Sequence, residues 1–417
     1  MTQARRALIL MGIGLCATQA AALDWPQWRG PQRDGISQET GLLKAWPKEG
    51  PKLVWQVDTL GFGYSTPAVS GDRIYVLGNT GSKDEFVLAL NSHDGQQVWK
   101  KRIGEVGPNF RVQFPGARGT PTVDGESLYA IGSNGDLVCL ETATGNIRWH
   151  KDLRTDFGGK PGWWAYAESP LIDGDVLVCT PGGSEATIVA LHKQTGEVIW
   201  KAPISEGDTA AYSSVTIANV DGVKEYVQFL QKGVVGVDAK TGKFLWRYDK
   251  TAQGSMANIP TPLIHDNYVY NATGRGGAAL VELKPGALKP EQIYFSKRLP
   301  SAIGGTVEVG GSLYGTNTQG LMCVEFKTGK IKWQDRSVGA GSILYADGCL
   351  FVHGEENNKV ALVEANSEAY HQKGDFTPPK TPNHAGRAPK AWAYPVIANG
   401  HLFIRDLDHL WCYDLRQ

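Results

Sequence analysis

The stretch GWWAYAESP, residues 162 to 170, places two tryptophans, a tyrosine and a glutamate directly before a predicted strand. An indole ring such as that of Trp163 or Trp164 can stack on a flat ligand. A carboxylate such as that of Glu168 can bind calcium or act as a general base. The same side chains can instead cap the strand and pack against their neighbours. Both interpretations stay open until the elements that position these residues are known.

A repeat of about 40–50 residues organises most of the chain and predicts those elements. Its core is a small residue, a turn ending in Gly, and an aromatic residue ten positions after the small one. Five copies keep this spacing: ALNSHDGQQVW (89–99), CLETATGNIRW (139–149), ALHKQTGEVIW (190–200), GVDAKTGKFLW (236–246) and CVEFKTGKIKW (323–333). Two copies are degenerate, at residues 280–295 and at residues 361–370, where the copy ends in Tyr370.

An eighth copy is divided between the two ends of the chain. The last residues, HLWCYDLRQ, supply one strand, and PKLVWQVD (51–58) supplies a strand with no partner nearby in sequence. Each unit also opens with a second hairpin, as in STPAVSGDRIYVLG. Four antiparallel strands per unit predict an all-β, eight-bladed β-propeller over residues 51–417, closed by pairing of its N- and C-terminal strands.

The repeated tryptophans are predicted to be structural, because each can pack against the neighbouring blade. They are Trp55, Trp99, Trp149, Trp200, Trp246 and Trp333. Cys139, Cys323 and Cys412 occupy the small-residue position that Ala89 and Ala190 fill elsewhere. We therefore expect these cysteines to be small buried residues and not parts of a disulfide framework.

This pattern resembles the pyrroloquinoline quinone repeat family of eight-bladed propellers. That family includes quinoprotein alcohol dehydrogenases and the lipoprotein subunit of the outer-membrane barrel-assembly machinery. The segments DWPQWRGPQRDGIS (24–37) and KAWAYPVIANGHLFIRDLDHLWCYDL (390–415) are more similar to a secreted subgroup with this repeat. The resemblance implies the fold, whereas the family holds both enzymes and proteins without catalysis. The adjacent cysteine pair characteristic of the quinoprotein dehydrogenases does not occur in this chain.

The loops that precede the innermost strands of a propeller surround one end of its channel, which we call the mouth. Those of blades six and seven contain mainly Gly and Ala. The other loops supply the candidate ligand-binding residues, which are Tyr64, Arg118, Trp163, Trp164, Tyr166, Glu168, Tyr212, Asn258, Trp392 and Tyr394. Arg118 or Asn258 is expected to bind carboxylates or carbonyls of a ligand, and Glu168 is a candidate base only if the protein is an enzyme. No catalytic residue is otherwise assigned.

The N-terminus predicts export. Arg5 and Arg6 precede an apolar run and a small-residue site that predicts cleavage near Ala22, so residues 1–22 are expected to be a signal peptide. Leu15 argues against lipid attachment at Cys16. Residues 23–50 form an arm expected to pack on the outside of the propeller through aromatic burial and an Arg–Asp contact. Residues 371–390 are expected to form a functional or mobile loop.

The amino-acid composition excludes some classes of binding partner. The chain has 42 basic and 42 acidic residues, so it has no basic footprint for nucleic acid. Beyond the signal, no segment is long and apolar enough to cross a membrane, and His, Cys and acidic residues show no metal-ligand spacing. We predict an exported, monomeric binding or scaffolding propeller with a small-molecule, glycan or protein ligand at the mouth. The alternatives are a dehydrogenase of alcohols or sugars with pyrroloquinoline quinone (PQQ) and calcium, and an envelope assembly partner.

Overall fold

The computed structural model describes residues 23–107, 116–204, 208–380, 382 and 390–417. The predicted signal peptide lies outside the described residues. The arm contains β1 (Ile36–Ser37), and it is followed by β2 (Lys52–Val57). The described residues contain one helix, a single 3₁₀ turn at Lys250–Ala252. None of the described helical structure has the length and apolar character needed to cross a membrane.

Strand β2 and the strands that follow it form eight antiparallel blades, which we number in chain order. Blade 1 comprises β3 (Ala68–Ser70), β4 (Arg73–Thr80), β5 (Asp84–Asn91) and β6 (Gln97–Glu105). Blade 2 comprises β7 (Thr122–Asp124), β8 (Ser127–Ile131), β9 (Asp136–Glu141) and β10 (Ile147–Asp152). Blade 3 comprises β11 (Leu171–Asp173), β12 (Val176–Cys179), β13 (Ile188–His192) and β14 (Val198–Ala202). Blade 4 comprises β15 (Thr216–Val220), β16 (Val223–Phe229), β17 (Val234–Asp238) and β18 (Phe244–Tyr248).

The second half of the ring continues the pattern. Blade 5 comprises β19 (Leu263–His265), β20 (Tyr268–Thr273), β21 (Gly277–Glu282) and β22 (Glu291–Ser296). Blade 6 comprises β23 (Thr306–Val309), β24 (Ser312–Asn317), β25 (Gly320–Glu325) and β26 (Ile331–Asp335). Blade 7 comprises β27 (Gly341–Ala346), β28 (Cys349–Gly354), β29 (Val360–Glu364) and β30 (Gln372–Phe376). Blade 8 comprises β31 (Val396–Ala398), β32 (His401–Asp406), β33 (His409–Asp414) and β2.

The predicted eight-bladed propeller and its closure are confirmed. Strand β2 pairs antiparallel with β33, and Trp55 lies opposite Cys412 in that pair. First strands of neighbouring blades contact one another, as β15 does with β19 and β19 with β23, so these strands surround the channel. The core consists of apolar side chains between successive blades, and most of them are buried. The loops lie at the two ends of the ring.

The spacing of the repeat has a direct structural cause. In its blade, each outer-strand aromatic lies opposite the small residue of the adjacent strand, as Trp99 does with Ala89 and Trp149 with Cys139. The five described cysteines are buried and free, and the expected burial of Cys139, Cys323 and Cys412 is confirmed. A larger side chain at this position would compete with the indole for the same space, which accounts for the Ala, Cys and Gly found there.

Each blade tryptophan also contacts the next blade. The Trp99 indole nitrogen donates to the backbone oxygen of Thr142 at 2.9 Å, and a Cβ on Gly145 would lie 2.7 Å from the Trp99 ring. We call this contact the inter-blade clasp. Trp55, Trp149, Trp200 and Trp333 make the corresponding hydrogen bond. Trp246 instead donates to Glu225 of its own blade, because the turn that follows in blade 5 carries the insertion.

Blade 7 departs from the sequence prediction. Gly374, and not Tyr370, lies at the position of the outer-strand aromatic, because it pairs with Leu362 at the register shift of that hairpin. Trp46 of the arm covers Gly374, where an added Cβ would lie 2.7 Å from the Trp46 Cβ. The expected loop at residues 371–390 is therefore partly strand β30, and its residues 381 and 383–389 lie outside the described residues.

Trp46 of the arm packs against the outer strand β30 of blade 7, where its ring centroid lies 5.3 Å from that of Phe376. Residues 24–37 lie inside the channel instead, which corrects the expectation of outside packing for this part of the arm. Its backbone at Trp25 exchanges two hydrogen bonds of 2.9 Å with Val69 of blade 1, and Pro26 accepts from Val123 of blade 2 at 2.8 Å. Arg33 donates to the backbone oxygen of Ser169, before blade 3, at 2.8 Å. The same segment bonds to Thr261 before blade 5 and to Thr306 of blade 6. A segment that reaches first strands around the ring must lie near its axis.

The arm enters and leaves at the end opposite the mouth. The Asp24 carboxylate accepts from Ser70 and Gly71 in the turn after the first strand of blade 1. Strand β1 then pairs parallel with β27 of blade 7, with Ile36 opposite Tyr345. The expected Arg–Asp contact takes another form, since Arg29 donates to the backbone oxygen of Asp34 at 2.7 Å and not to its carboxylate.

Replacement of Gly145 by Ala tests the inter-blade clasp. Gly145 has φ +73°, and an added Cβ would press on Trp99, whereas Gly125 has φ +57° and open space around the same position. Both alanines carry the strain of a left-handed backbone, and only Gly145→Ala also overpacks the blade contact. We expect Gly145→Ala to lower the free energy of unfolding by about 1–3 kcal/mol more than Gly125→Ala in urea titrations. Equal losses would contradict the clasp.

Candidate functional site

A cavity of about 200 Å³ lies at the mouth, and six aromatic side chains line most of its wall. Five of them come from the loops before first strands: Tyr64, Trp164, Tyr212, Trp392 and Tyr394. The sixth is Trp28, which the arm brings up the channel from the opposite end. Arg118 and small or aliphatic residues of the same loops complete the lining, namely Ala167, Ser169, Ser214, Ala257, Ile259 and Ile303.

The aromatic residues occur as three contacting pairs. The ring centroids of Tyr64 and Trp392 are 4.9 Å apart, and those of Trp164 and Tyr212 are 5.8 Å apart. Trp28 and Tyr394 meet edge to face with a centroid separation of 4.5 Å. Such tilted arrangements leave ring faces and edges available to a further ring.

A tight turn presents Trp164 to the cavity. The backbone nitrogen of Ala165 donates to the Gly162 oxygen at 3.1 Å, and Ala165 has φ +69°, a conformation that is unusual for alanine. Tyr212 supports this turn, because its hydroxyl accepts from the Trp164 backbone nitrogen at 3.1 Å. Strain of this kind in a turn that forms a cavity wall is typical of a functional site.

Arg118 ties two loops of the cavity wall together. Its guanidinium donates to the backbone oxygens of Gly116 and Trp164, both at 3.1 Å. Its Cζ atom lies 5.8 Å from the centroid of the Tyr64 ring, within the range of a cation–π interaction. Burial lowers the pKa of Arg118, and the nearby Tyr64 and Glu85 oppose that shift. The described lining contains no carboxylate.

Four of the ten candidate residues do not line the cavity. Trp163 points outward and is 54% exposed. Tyr166 is buried between blades 2 and 3, where its hydroxyl donates to the Pro181 oxygen at 2.8 Å. The Asn258 amide nitrogen donates to the backbone oxygens of Leu230 and Gln231, at 2.7 and 2.9 Å.

The carboxylate of Glu168 is also held away from the cavity. It accepts from the backbone nitrogen of Thr180 at 2.7 Å, from the Thr180 hydroxyl at 3.0 Å, and from Gln228 at 3.1 Å. Burial raises the pKa of Glu168 to about 7, and these hydrogen bonds and the charge of Arg33 oppose the shift. Burial in turn lowers the pKa of Arg33 to about 10. Arg33 connects the arm to blade 3 through the backbone oxygens of Ser169 and Pro170.

The side chains at the mouth do not fit the calcium expected for a PQQ-dependent dehydrogenase. Glu168, the candidate calcium ligand, spends its hydrogen bonds on the interior of the propeller, and so does Asn258. Trp164 and Arg118, the candidates for stacking and for binding carboxylates, do line the cavity. Among the residues that the structure describes, no group of three His, Cys, Asp or Glu side chains could hold a metal ion. What the cavity offers instead is apolar ring surface, one guanidinium and a few hydroxyl groups.

Trp28 was not among the predicted site residues, and the reason is physical. Trp28 donates from its indole nitrogen to the Thr261 hydroxyl at 3.0 Å, across a separation of 233 residues. No local pattern in a single sequence signals that contact. The Gly-rich loop of blade 6 is explained by the same segment, since a Cβ on Gly305 would lie 2.6 Å from an Arg29 nitrogen.

Comparison with known proteins relates the chain to envelope proteins. A family model described as outer membrane protein assembly factor BamB matches residues 35–114 and 83–335. The BamB protein of Yersinia pestis is 28% identical over 240 residues, which cover 53% of this chain and 55% of that protein. BamB of Shewanella oneidensis is 23% identical over 264 residues, covering 61% of this chain and 59% of that protein. The chain thus spans little more than half the length of these relatives.

Solved structures share the fold at low sequence identity. The crystal structure of BamB from Moraxella catarrhalis has a TM-score of 0.59 and 15% identity, and the match covers 86% of this chain and 99% of that one. A quinohemoprotein alcohol dehydrogenase from Pseudomonas putida HK5 has a TM-score of 0.63 and 12% identity, and covers 94% of this chain and 80% of that one. At these identities the likeness concerns the fold alone.

Replacement of Glu168 by Gln tests whether this carboxyl is structural. A buried carboxyl with a raised pKa stabilises the fold below its unfolded pKa, and that stability is lost as the pH rises through about 7. The loss between pH 4.5 and 7 should be on the order of 3 kcal/mol for this group. We expect Glu168→Gln to flatten the fall of the unfolding free energy over this range without changing ligand binding at the mouth.

The matched control is Glu126→Gln, at a carboxylate with a 93% exposed side chain. It should keep the pH dependence of the unchanged protein. Glu85, whose pKa burial also raises to about 7, titrates in the same range and leaves part of the slope in the Glu168 variant. A slope unaffected by Glu168→Gln would show that this carboxyl is ionised throughout.

Proposed function

Because the chain belongs to the family of PQQ-like repeat propellers described as outer membrane protein assembly factor BamB, we propose that it is a binding and scaffolding propeller of the cell envelope. It holds a segment of a partner protein at the mouth, with one aromatic side chain of that segment inserted in the mouth cavity. The observation that carries this proposal is the cavity of about 200 Å³ lined by six aromatic residues.

The size and chemistry of the cavity favour a single ring system. An apolar cavity of about 150 Å³ is large enough to bind benzene, so a cavity of about 200 Å³ suits a ring of phenol or indole size. Tilted aromatic contacts contribute about 0.5–1.5 kcal/mol each beyond area burial. The guanidinium of Arg118 beside the cavity further favours a ring over a cationic side chain.

The inferred compartment supports a protein partner. The N-terminus has the charge and apolar pattern of an export signal, and the relatives in the comparison carry the name of outer membrane protein assembly factors. We infer that this chain acts on the same side of the membrane as those relatives, with a partner among envelope proteins. The quinone-dependent dehydrogenase is less well supported, because Glu168, the candidate calcium ligand, faces the interior.

Binding of a minimal aromatic probe tests the proposal. N-acetyl-L-tryptophanamide should bind the purified protein saturably with one site, at millimolar strength, in calorimetric titration. N-acetyl-L-alaninamide, which has the same backbone and no ring, should give no saturable signal. Absence of binding by the tryptophan probe would contradict the proposed use of the cavity.

Adjacent tryptophans provide a matched pair of variants. Trp164 lines the cavity, whereas Trp163 is exposed outside it. Trp164→Ala should weaken binding of the tryptophan probe at least fivefold, because it removes a wall of the cavity. Trp163→Ala should change it less than twofold. The reverse order, or equal effects, would place the binding surface outside the cavity.

A further inference from the structure

The arm closes the cavity from below, and two arginines hold it there in addition to Trp28. Arg29 donates to the backbone oxygens of Asp34 and Thr306, and Arg33 donates to those of Ser169 and Pro170. Both arginines are buried. These hydrogen bonds hold the segment on the channel axis. Their acceptors are main-chain oxygens, so they need no acceptor from a blade side chain.

Trp28 is the residue of this segment that faces the cavity. Its indole nitrogen is held by the Thr261 hydroxyl at 3.0 Å, and its ring contacts Tyr394 at a centroid distance of 4.5 Å. The Tyr394 hydroxyl in turn donates to the Ile303 oxygen at 2.7 Å. The indole is thus held by a hydrogen bond on one side and by an aromatic contact on another, in a position where a smaller side chain would leave the space above the arm open.

We propose that Trp28 sets the depth of the mouth cavity, so that the arm, and not a blade, determines the size of the ring that the site accepts. This inference rests on the proposed function, because it concerns the same cavity. With Trp28 in place the cavity takes one ring or one fused pair. A shorter residue at position 28 extends the cavity down the channel axis toward the arm backbone, and longer ring systems then fit.

Two probes of different length test the inference. The first is N-acetyl-L-tryptophanamide, and the second is N-acetyl-4-phenyl-L-phenylalaninamide, whose biphenyl group is longer than indole. In the unchanged protein the biphenyl probe should bind at least tenfold more weakly than the tryptophan probe. In Trp28→Ala the ratio of the two dissociation constants should move at least tenfold in favour of the biphenyl probe.

Gln27→Ala is the matched control, because Gln27 takes part in the arm without lining the cavity. Its side chain donates to the Pro31 oxygen at 2.9 Å and accepts from Arg33 at 3.1 Å. This variant should keep the ratio of the unchanged protein. A ratio that moves equally in both variants would indicate a loosened arm and would overturn a specific role for Trp28.

Hydrogen exchange shows whether the arm keeps its place. The amides of Val69 and Val123 donate to backbone oxygens of the arm, so they should stay protected in Trp28→Ala. If they lose protection, Trp28→Leu, which keeps apolar contact with Tyr394, replaces the alanine variant, and its ratio should still move toward the biphenyl probe. An unchanged ratio in a variant with a seated arm overturns the inference alone. Failure of both probes on the unchanged protein overturns the proposed function itself.

Discussion

The inter-blade clasp is the contact on which the rest of the molecule depends. A tryptophan at the outer strand of one blade lies over a glycine in a turn of the next, and its indole nitrogen donates to a backbone oxygen of that turn. Glycine is required here for two reasons. The turn has a positive φ at this position, and any Cβ would contact the indole ring. Each clasp sets the position of one blade relative to the next. Trp55, Trp149, Trp200 and Trp333 repeat the hydrogen bond of Trp99, and strand β2 closes the ring by completing blade 8.

Closure of eight blades creates a channel that the chain must fill or leave to water. The arm fills it from one end with a hairpin that carries Arg29 and Arg33, two guanidinium groups removed from solvent. Burial of such groups is costly unless their donors find acceptors, and here backbone oxygens of several blades and of the arm itself supply them. The arm fills the channel only in part, and the space that stays open above Trp28 is the mouth cavity. The cavity is therefore a consequence of how far the arm reaches.

The architecture was predictable from the sequence because the hairpin that carries each blade tryptophan is local. Small residue, turn glycine and tryptophan lie within eleven residues, so their spacing records the register of one hairpin, and Trp99 with Ala89 shows this directly. The site was predictable only in part. Tyr64, Arg118, Trp164, Tyr212, Trp392 and Tyr394 were found because each lies in the short loop that leads into a first strand. The side-chain directions of Glu168 and Asn258 depend on partners such as Gln228 and Leu230, and no spacing encodes those. The position of the arm was not predictable, because it depends on contacts between residues far apart in sequence. Trp28 and Thr261, for example, are more than two hundred positions apart.

The site combines two parts of the chain that are constrained differently. The wall residues Trp164 and Tyr212 contact each other through their rings, and the Tyr212 hydroxyl also accepts from the Trp164 backbone nitrogen. The floor residue Trp28 lies in a segment that Arg29 and Arg33 also attach to main-chain oxygens. On the proposed role of Trp28, a propeller built in this way can change what its mouth accepts through one residue of the arm, while the contacts between its blades stay the same. For this reason, likeness of the blades to other propellers says little about what each of them binds.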